Sequence, residues 1–365
     1  MIMSMDDVIS LGVGEPDFST PWHIREAAIH SVQRGHTHYS SNQGILELRR
    51  RVSEDLKQRY GLDYDPTNEV LITVGVSEGL DLAMRAIIDT GDEVIIPEPS
   101  YVSYGPCVVL AGGTVVPIPT SEDSGFRVTA QQIESAITPK TKVLVLSYPC
   151  NPTGAILPKD QLLAIAEVAS RHDLFVISDE VYDRLVYDQP HTTVPSLPGM
   201  RERTVLLGGF SKNYAMTGWR VGYATAPVNV LSAMAKIHQY TMLCAPGPSQ
   251  EAAIEALKTD DRIVHDMVTA YNHRRRLLVK GLNELGLSCF EPEGAFYAFP
   301  SIKSTGLSSN DFAEMLLNEA RVAVVPGSAF GAAGEGYIRC CYAVSTGEIE
   351  EALDRIRGFV SKRLG

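Results

Sequence analysis

Thr204-Val-Leu-Leu-Gly-Gly-Phe-Ser-Lys-Asn213 places a lysine directly after an apolar run that ends in two glycines. The run Thr204–Leu207 lacks polar alternation, so it reads as a strand covered on both faces, which requires a sheet with helices on either side. Working outward, Val70–Val74, Glu93–Ile96, Thr114–Ile118, Lys142–Ser147 and Leu174–Ser178 are further short β-branched runs. Helical patterns such as Leu162–His172 separate them. The pattern predicts an α/β fold with a mostly parallel central sheet flanked by helices. Near Asp260 the character changes. Asp261–Gly286 reads as one long amphipathic helix containing Arg274-Arg-Arg. Ala295–Pro300, the helix Ser309–Ala320, Val322–Val325, Tyr337–Tyr342 and a closing helix Gly347–Arg363 then predict a smaller α+β unit. No linker rich in Pro, Ser or charge intervenes, so close packing of the two units is expected.

The chain has 365 residues, 44% of them hydrophobic and 21% charged, enough for a sizeable core without disulfides or a structural metal. A net charge of −12 lacks the broad basic footprint of a nucleic-acid or anionic-membrane binder, so neither partner is expected. The six cysteines, Cys107, Cys150, Cys244, Cys289, Cys340 and Cys341, form no C-x-x-C pair and read as reduced thiols. Residues 1–7 lack a basic and then apolar leader pattern, and no stretch approaches about 18 apolar residues. A cytoplasmic location is expected. Met1, Met3 and Met5 are each available as a start.

Several residues stand where strand ends open onto a crevice. Lys212 is either a solvated charge or a desolvated amine able to form a Schiff base with a carbonyl. Asp179, in Phe175-Val-Ile-Ser-Asp-Glu-Val-Tyr182, is either a helix N-cap or an acid facing a pyridine nitrogen, with the Tyr182 phenol one turn away. Asn151, in Ser147-Tyr-Pro-Cys-Asn-Pro-Thr-Gly154, sits in a plain turn signal that would aim an amide at the crevice. Gly75-Val-Ser-Glu-Gly79 joins a strand to the expected helix Leu80–Ile88, and such a turn presents free N–H groups to an anion. It is not a Walker A loop, and no G-x-G-x-x-G follows a strand. Arg220 and Arg339 stand in apolar surroundings and call for a structural or ligand anion. Tyr101 could stack on a flat ring or pack in the core. His36 and His38 lack a third ligand nearby and read as solvated loop histidines.

Together these groups describe a ligand with a phosphate, a protonated pyridine, a phenolic oxygen and an aldehyde, which is pyridoxal 5′-phosphate. The segments Gly14-Glu-Pro-Asp-Phe18, Tyr39 with Gly44-x4-Arg49, Asn151-Pro-Thr-Gly154, Ser178-Asp-Glu-Val-Tyr182, Ser211-Lys-x7-Arg220 and Arg339-x2-Tyr-Ala-x-Ser345 occur in that order. In this the chain resembles class I/II pyridoxal-phosphate-dependent aminotransferases of the aspartate aminotransferase superfamily, fold type I, over nearly its whole length. The resemblance implies that Lys212 is the Schiff-base lysine and proton shuttle. It implies Asp179 at the pyridine nitrogen, Tyr182 with Asn151 at the ring oxygen, and Tyr101 on the ring face. Val76, Ser77, Arg220 and Ser211 would hold the phosphate, with Tyr39 reaching in from the other subunit of a homodimer. Arg339, Asn151 and the Gly14 backbone would hold the substrate carboxylate. Implied too is a large cofactor domain at 40–260, with 1–39 and 261–365 forming a discontinuous small domain. The implied reaction moves the amino group of an L-amino acid to a 2-oxo acid in a ping-pong cycle.

Three departures from the family pattern stand out. Gly209 occupies a position where many members carry a phosphate-binding serine, Glu15 lies closer to the start than usual, and Ser77 stands where some acidic-substrate members carry a lysine. His238-Gln-Tyr240, Phe299-Pro-Ser-Ile-Lys303 and Pro326-Gly-Ser328 resemble bacterial members of broad or diaminopimelate-related specificity. The rival within the fold is a C–S β-lyase or another enzyme of fold type I using the same lysine. The rival outside it, a non-catalytic DNA-binding regulator, conflicts with the acidic balance and the lack of a helix-turn-helix.

Overall fold

The computed structural model describes residues 5–364, so Met1 and Met3 lie outside the described residues. The chain opens with β1 (Ile9–Ser10), α1 (Trp22–Gln33) and α2 (Leu46–Tyr60). The central part follows as β2 (Val70–Thr73), α3 (Gly75–Ile87), β3 (Glu93–Glu98), α4 (Tyr104–Leu110), β4 (Thr114–Pro119), α5 (Ala130–Ala136) and β5 (Thr141–Leu146). It continues through α6 (Lys159–Arg171), β6 (Phe175–Asp179), β7 (Thr204–Gly209), β8 (Gly222–Thr225), α7 (Val228–Thr241) and α8 (Gly247–Ala256). The last third contains α9 (Asp261–Glu284), β9 (Tyr297–Ala298), α10 (Ser309–Ala320), β10 (Val322–Ala323), β11 (Val325–Pro326), β12 (Ile338–Cys341) and α11 (Thr346–Leu364).

The central sheet has the order β2-β8-β7-β6-β5-β3-β4, with β8 antiparallel to both neighbours and every other pairing parallel. Successive side chains leave opposite faces of each strand. Val205 and Leu207 therefore pack with Leu80, Met84 and Met234 of α3 and α7, while Leu206 between them packs with Leu48, Ile72 and Ala252. Each such fully buried aliphatic side chain stabilises the fold by roughly 1.5–3 kcal/mol. Covered on both faces, the strands have no use for polar alternation, which is why the apolar runs were legible. Because β2 and β7 are each antiparallel to β8, they run in the same direction, and six of the seven strands end at one edge. Ligands in such sheets bind beyond those carboxyl ends.

The second unit stacks α9, α10 and α11 against the sheet β11-β12-β9. β1 pairs in parallel with β10, Ile9 opposite Val322, so the first described strand joins the last third of the chain. Ile9 and Leu11 are buried there in a core that also holds Tyr271, Phe296, Phe312 and Phe359. α1 packs elsewhere: its Ile24 and Ala28 share a core with Val52, Ile72 and Ala252.

Four details differ from the sequence expectation. β8 was not anticipated, because Gly222-Tyr-Ala-Thr225 is short and small, and only its pairing on both sides makes it a strand. α3 begins at Gly75 rather than Leu80, so the expected turn is the first turn of the helix itself. Val322–Val325 divides into β10 and β11, which pair into different sheets. The expected run Ala295–Pro300 contracts to Tyr297–Ala298, the two residues in ladder register with β12.

Arg275 of α9 is 1% exposed and ties the second unit together. It donates to the Pro292 carbonyl, pairs with Asp188 at 3.2 Å, and lies 4.6 Å from the centre of the Tyr187 ring. Replacing it would leave a buried carbonyl without a donor. Arg275→Met is expected to destabilise the protein by about 2 kcal/mol, read as a lowered midpoint in thermal unfolding.

Candidate active site

Beyond the strand ends lies a cavity of about 570 Å³ lined by side chains from both units. Parallel pairing of β6 with β7 sets Asp179 level with Leu207, and Lys212 follows five residues after Leu207 at the adjoining strand end. Alternation along the chain decides which of two adjacent acids faces the cavity. Asp179 lines it, whereas Glu180 turns away, accepting from Ser178 Oγ, Val194 N–H and His191 Nε2.

Asp179 is 6% exposed, and burial pushes its carboxyl up to about 6. Its Oδ2 accepts from the Tyr104 hydroxyl at 2.8 Å, and Oδ1 accepts from the Val181 N–H at 3.3 Å. The same loss of water acts in the opposite sense on Lys212, whose amine is lowered to about 8. Lys212 Nζ donates to the Gly14 carbonyl at 2.6 Å and lies 5.6 Å from the centre of the Phe296 ring. Tyr182 is buried, with its hydroxyl 2.7 Å from that of Tyr297. Gly14 is required by this arrangement, since a Cβ there would lie 2.5 Å from the Tyr297 hydroxyl.

At one end of the cavity Val76 and Ser77 occupy the first turn of α3, where backbone N–H groups are free and the helix dipole favours an anion. Gly75 adopts φ +74°, and a Cβ there would come within 2.7 Å of the Arg220 guanidinium, so the absent side chain lets Arg220 cover the turn. Gly209 finds a physical reason here as well. A Cβ on it would lie 2.9 Å from Val76 Cγ2, so Val76 takes the room a side chain would need. At the other end Arg339 of β12 is 8% exposed. It donates to Asn151 Oδ1 at 2.9 Å and to the Gly12 carbonyl at 2.7 Å, while its buried Nε has no partner.

Among the described residues, none of Lys212, Arg220 and Arg339 forms a salt bridge with a carboxylate; each donates to carbonyl or amide oxygens instead. Three cations without acidic partners, in a chain of net charge −12, make a cavity suited to two anionic groups. A free helix N-terminus beside Arg220 fits a phosphate, and an arginine with an unused buried donor fits a carboxylate. A buried carboxylate between them fits a protonated ring nitrogen. The donor set thus fits pyridoxal phosphate together with an amino acid.

The cavity brings together Gly14, Val76, Ser77, Tyr101, Asn151, Asp179, Tyr182, Ser211, Lys212, Arg220 and Arg339. Tyr39 is not among the lining residues and is 82% exposed. Tyr104 and Tyr297 escaped the sequence reading because isolated aromatics read as core. A signal for Tyr104 was its place one helical turn after Tyr101, whose ring centre lies 5.6 Å away.

The family model for aminotransferase class I and II matches residues 6–356. The chain is 48% identical to the aspartate aminotransferase of Pyrococcus abyssi, covering 96% of this chain and 91% of that one. It is 46% identical to aromatic-amino-acid aminotransferase 2 of Thermococcus litoralis, covering 100% and 94%. The crystal structure of the aromatic aminotransferase from Pyrococcus horikoshii superposes with a TM-score of 0.96 at 47% identity, covering 99% and 97%. The chain belongs to the class I and II aminotransferases, with the fold type I architecture. It is a pyridoxal-phosphate-dependent aminotransferase.

The raised carboxyl of Asp179 has a consequence for stability without cofactor. Its folded value of about 6 exceeds the ordinary 3.8, so the protonated form stabilises the fold at low pH, and that contribution is lost as pH rises through about 6. The loss is about 2 kcal/mol between pH 4 and 7. Asp179→Asn in the cofactor-stripped protein is expected to gain thermal stability relative to wild type over that window. A difference that stays constant with pH would contradict the assignment.

Proposed function

We propose that Lys212, Asp179 and Arg339 divide the work of amino transfer among holding, proton movement and substrate grip. The observation that carries this reading is Lys212, a desolvated amine without an acidic partner, in one cavity with a buried carboxylate and a buried arginine. Pyridoxal phosphate, when bound, supplies an aldehyde carbon that takes the substrate nitrogen and a ring that stores the electron pair released at Cα.

Around that chemistry the residues act as follows. The first turn of α3 at Val76 and Ser77, with Arg220 and Ser211, holds the phosphate. Asp179 holds a proton on the ring nitrogen by a charge-assisted hydrogen bond, with Tyr104 fixing the orientation of its carboxylate. Tyr182 and Asn151 orient the ring through its phenolic oxygen, and Tyr101 covers the ring face. Arg339, with Asn151 and the Gly14 backbone, grips the α-carboxylate of the L-amino acid. Lys212 holds the cofactor until substrate arrives. Its Nζ then takes the proton from Cα and keeps it on the same face for return. The lowered amine supports this role, because a base that titrates near neutrality exists in both forms at working pH. Alternate binding of amino acid and 2-oxo acid at one carboxylate grip gives a ping-pong cycle.

The same proposal extends to assembly and place. A homodimer with shared sites is supported by Tyr39, whose exposed ring lies outside its own cavity and is free to reach another. A cytoplasmic location is supported by six free cysteines. A large part at 40–260 and a smaller part of 1–39 with 261–365 is supported by the β1–β10 pairing; the packing of α1 on the other core limits that support to the strand.

Lys212→Ala is expected to lose amino transfer from donor to 2-oxo acid, measured in a coupled assay. Release of ammonia and pyruvate without any 2-oxo acid acceptor would favour the lyase chemistry instead. Arg339→Ala should raise KM for every α-carboxylate substrate by about 10- to 100-fold with a smaller effect on kcat, because the contact removed is made before and during the reaction.

A further inference from the structure

Behind the cavity lies a buried acid that the reaction does not use. Asp183 is 7% exposed and sits one residue after Tyr182. Its Oδ1 accepts from Asn213 Nδ2 at 2.7 Å, and its Oδ2 accepts from Arg59 and from the Tyr60 hydroxyl, each at 2.7 Å. Burial by itself would raise this carboxyl, but Arg59, His191 and the hydrogen bonds from Tyr60 and Asn213 outweigh it and hold the group below its ordinary value. Arg59 is fixed in turn by a two-pronged contact with Asp55, so the acid is anchored on α2.

Asn213 is the residue after Lys212 and is 3% exposed, with its side-chain oxygen unpartnered. Among the described residues its one side-chain hydrogen bond is to Asp183. A second bond runs alongside, from Arg184 to the Tyr214 hydroxyl at 2.9 Å. β6 ends at Asp179 and the loop after it carries Tyr182, while the loop after β7 carries Lys212. The β6–β7 ladder ends at Asp179 and Leu207, and the last backbone bond between the two segments runs from Glu180 N–H to the Leu207 carbonyl, so beyond that point side chains set the spacing of the two loops among the described residues.

We infer that Asp183 and Asn213 are positioning residues for Lys212: their hydrogen bond clamps the loop after β7 to the loop after β6 and so sets the approach of Nζ to the reacting atoms. The inference rests on the role of Lys212 proposed above. A buried, charge-anchored acceptor on one side and an amide with no alternative partner on the other make a stiff link. Losing it lets the amine drift, and a misplacement near 1 Å at a reacting group lowers rates by about 10²-fold.

The test compares the two halves of the Asp183 network. Asn213→Ala in the cofactor-loaded enzyme is expected to lower kcat about tenfold or more while KM stays within about twofold. In the stripped full-length protein, acetylation of Lys212 by acetic anhydride, followed at that residue by mass spectrometry, should have its midpoint near pH 8 in wild type. In Asn213→Ala the midpoint should move upward by about one unit as the amine regains water. Tyr60→Phe removes a bond to the other carboxylate oxygen and should lower the melting temperature with kcat and the labelling midpoint unchanged. If Asn213→Ala does not accumulate, Asn213→Ser removes the reach to Asp183 while keeping a polar group in place, and the same two readouts apply. Wild-type kcat and midpoint in the Asn213 variants would overturn the inference, as would equal shifts in Tyr60→Phe. Full turnover in Lys212→Ala would instead overturn the parent role, and the Lys212 labelling midpoints of wild type and the Asn213 variants would still test the clamp.

Discussion

The parallel register of β6 against β7 is the constraint on which the site depends. It sets Asp179 opposite Leu207 and sends both strands out of the sheet at the same edge. A slip of one residue would turn Asp179 to the face where Glu180 now meets His191, and would exchange the apolar sets packed on each face. The buried pairs on both sides of these strands make such a slip costly. The packing of Val205, Leu206 and Leu207 therefore does more than stabilise the sheet: it determines which acid enters the cavity.

Desolvation is the second shared cause. The same exclusion of water raises the Asp179 carboxyl and lowers the Lys212 amine, so one environment moves an acid and a base toward neutrality from opposite directions. Among the described residues, three cations there pair with no carboxylate, although the chain carries more acids than bases. Elsewhere arginines are paired, as Arg59 is with Asp55 and Asp183, and Arg127 with Glu293. Unpaired cations in a half-enclosed cavity are unfavourable for the empty protein and favourable for binding phosphate and carboxylate. Some folding stability is thus exchanged for affinity, as is common at functional sites.

Much of the architecture was legible because its cause is local. Apolar runs covered on both faces declare buried strands, and Asp261–Glu284 and Ser309–Ala320 declare their helices by periodicity. Elements that exist only through partners were not legible. β8 is a strand because β2 and β7 lie on either side of it, and Val322–Val325 splits because two different sheets claim its halves. α3 starts early because Gly75 can take a positive φ where the chain leaves β2, a detail that a turn motif conceals.

The sequence by itself determined the class of fold, the chemical kinds gathered at the strand ends, and, by ordered resemblance of its motifs, the cofactor. The first two follow from composition, periodicity and residue chemistry, which are properties of neighbouring residues, and the cofactor follows from the family resemblance. Only the tertiary structure decided which side chains share water-free space. Tyr104 reaches Asp179 across 75 positions, Tyr182 meets Tyr297 across 115, and Arg339 meets Asn151 across 188. Burial, hydrogen bonding and shifted titration belong to groups brought together from distant parts of the chain, and no local pattern encodes such proximity.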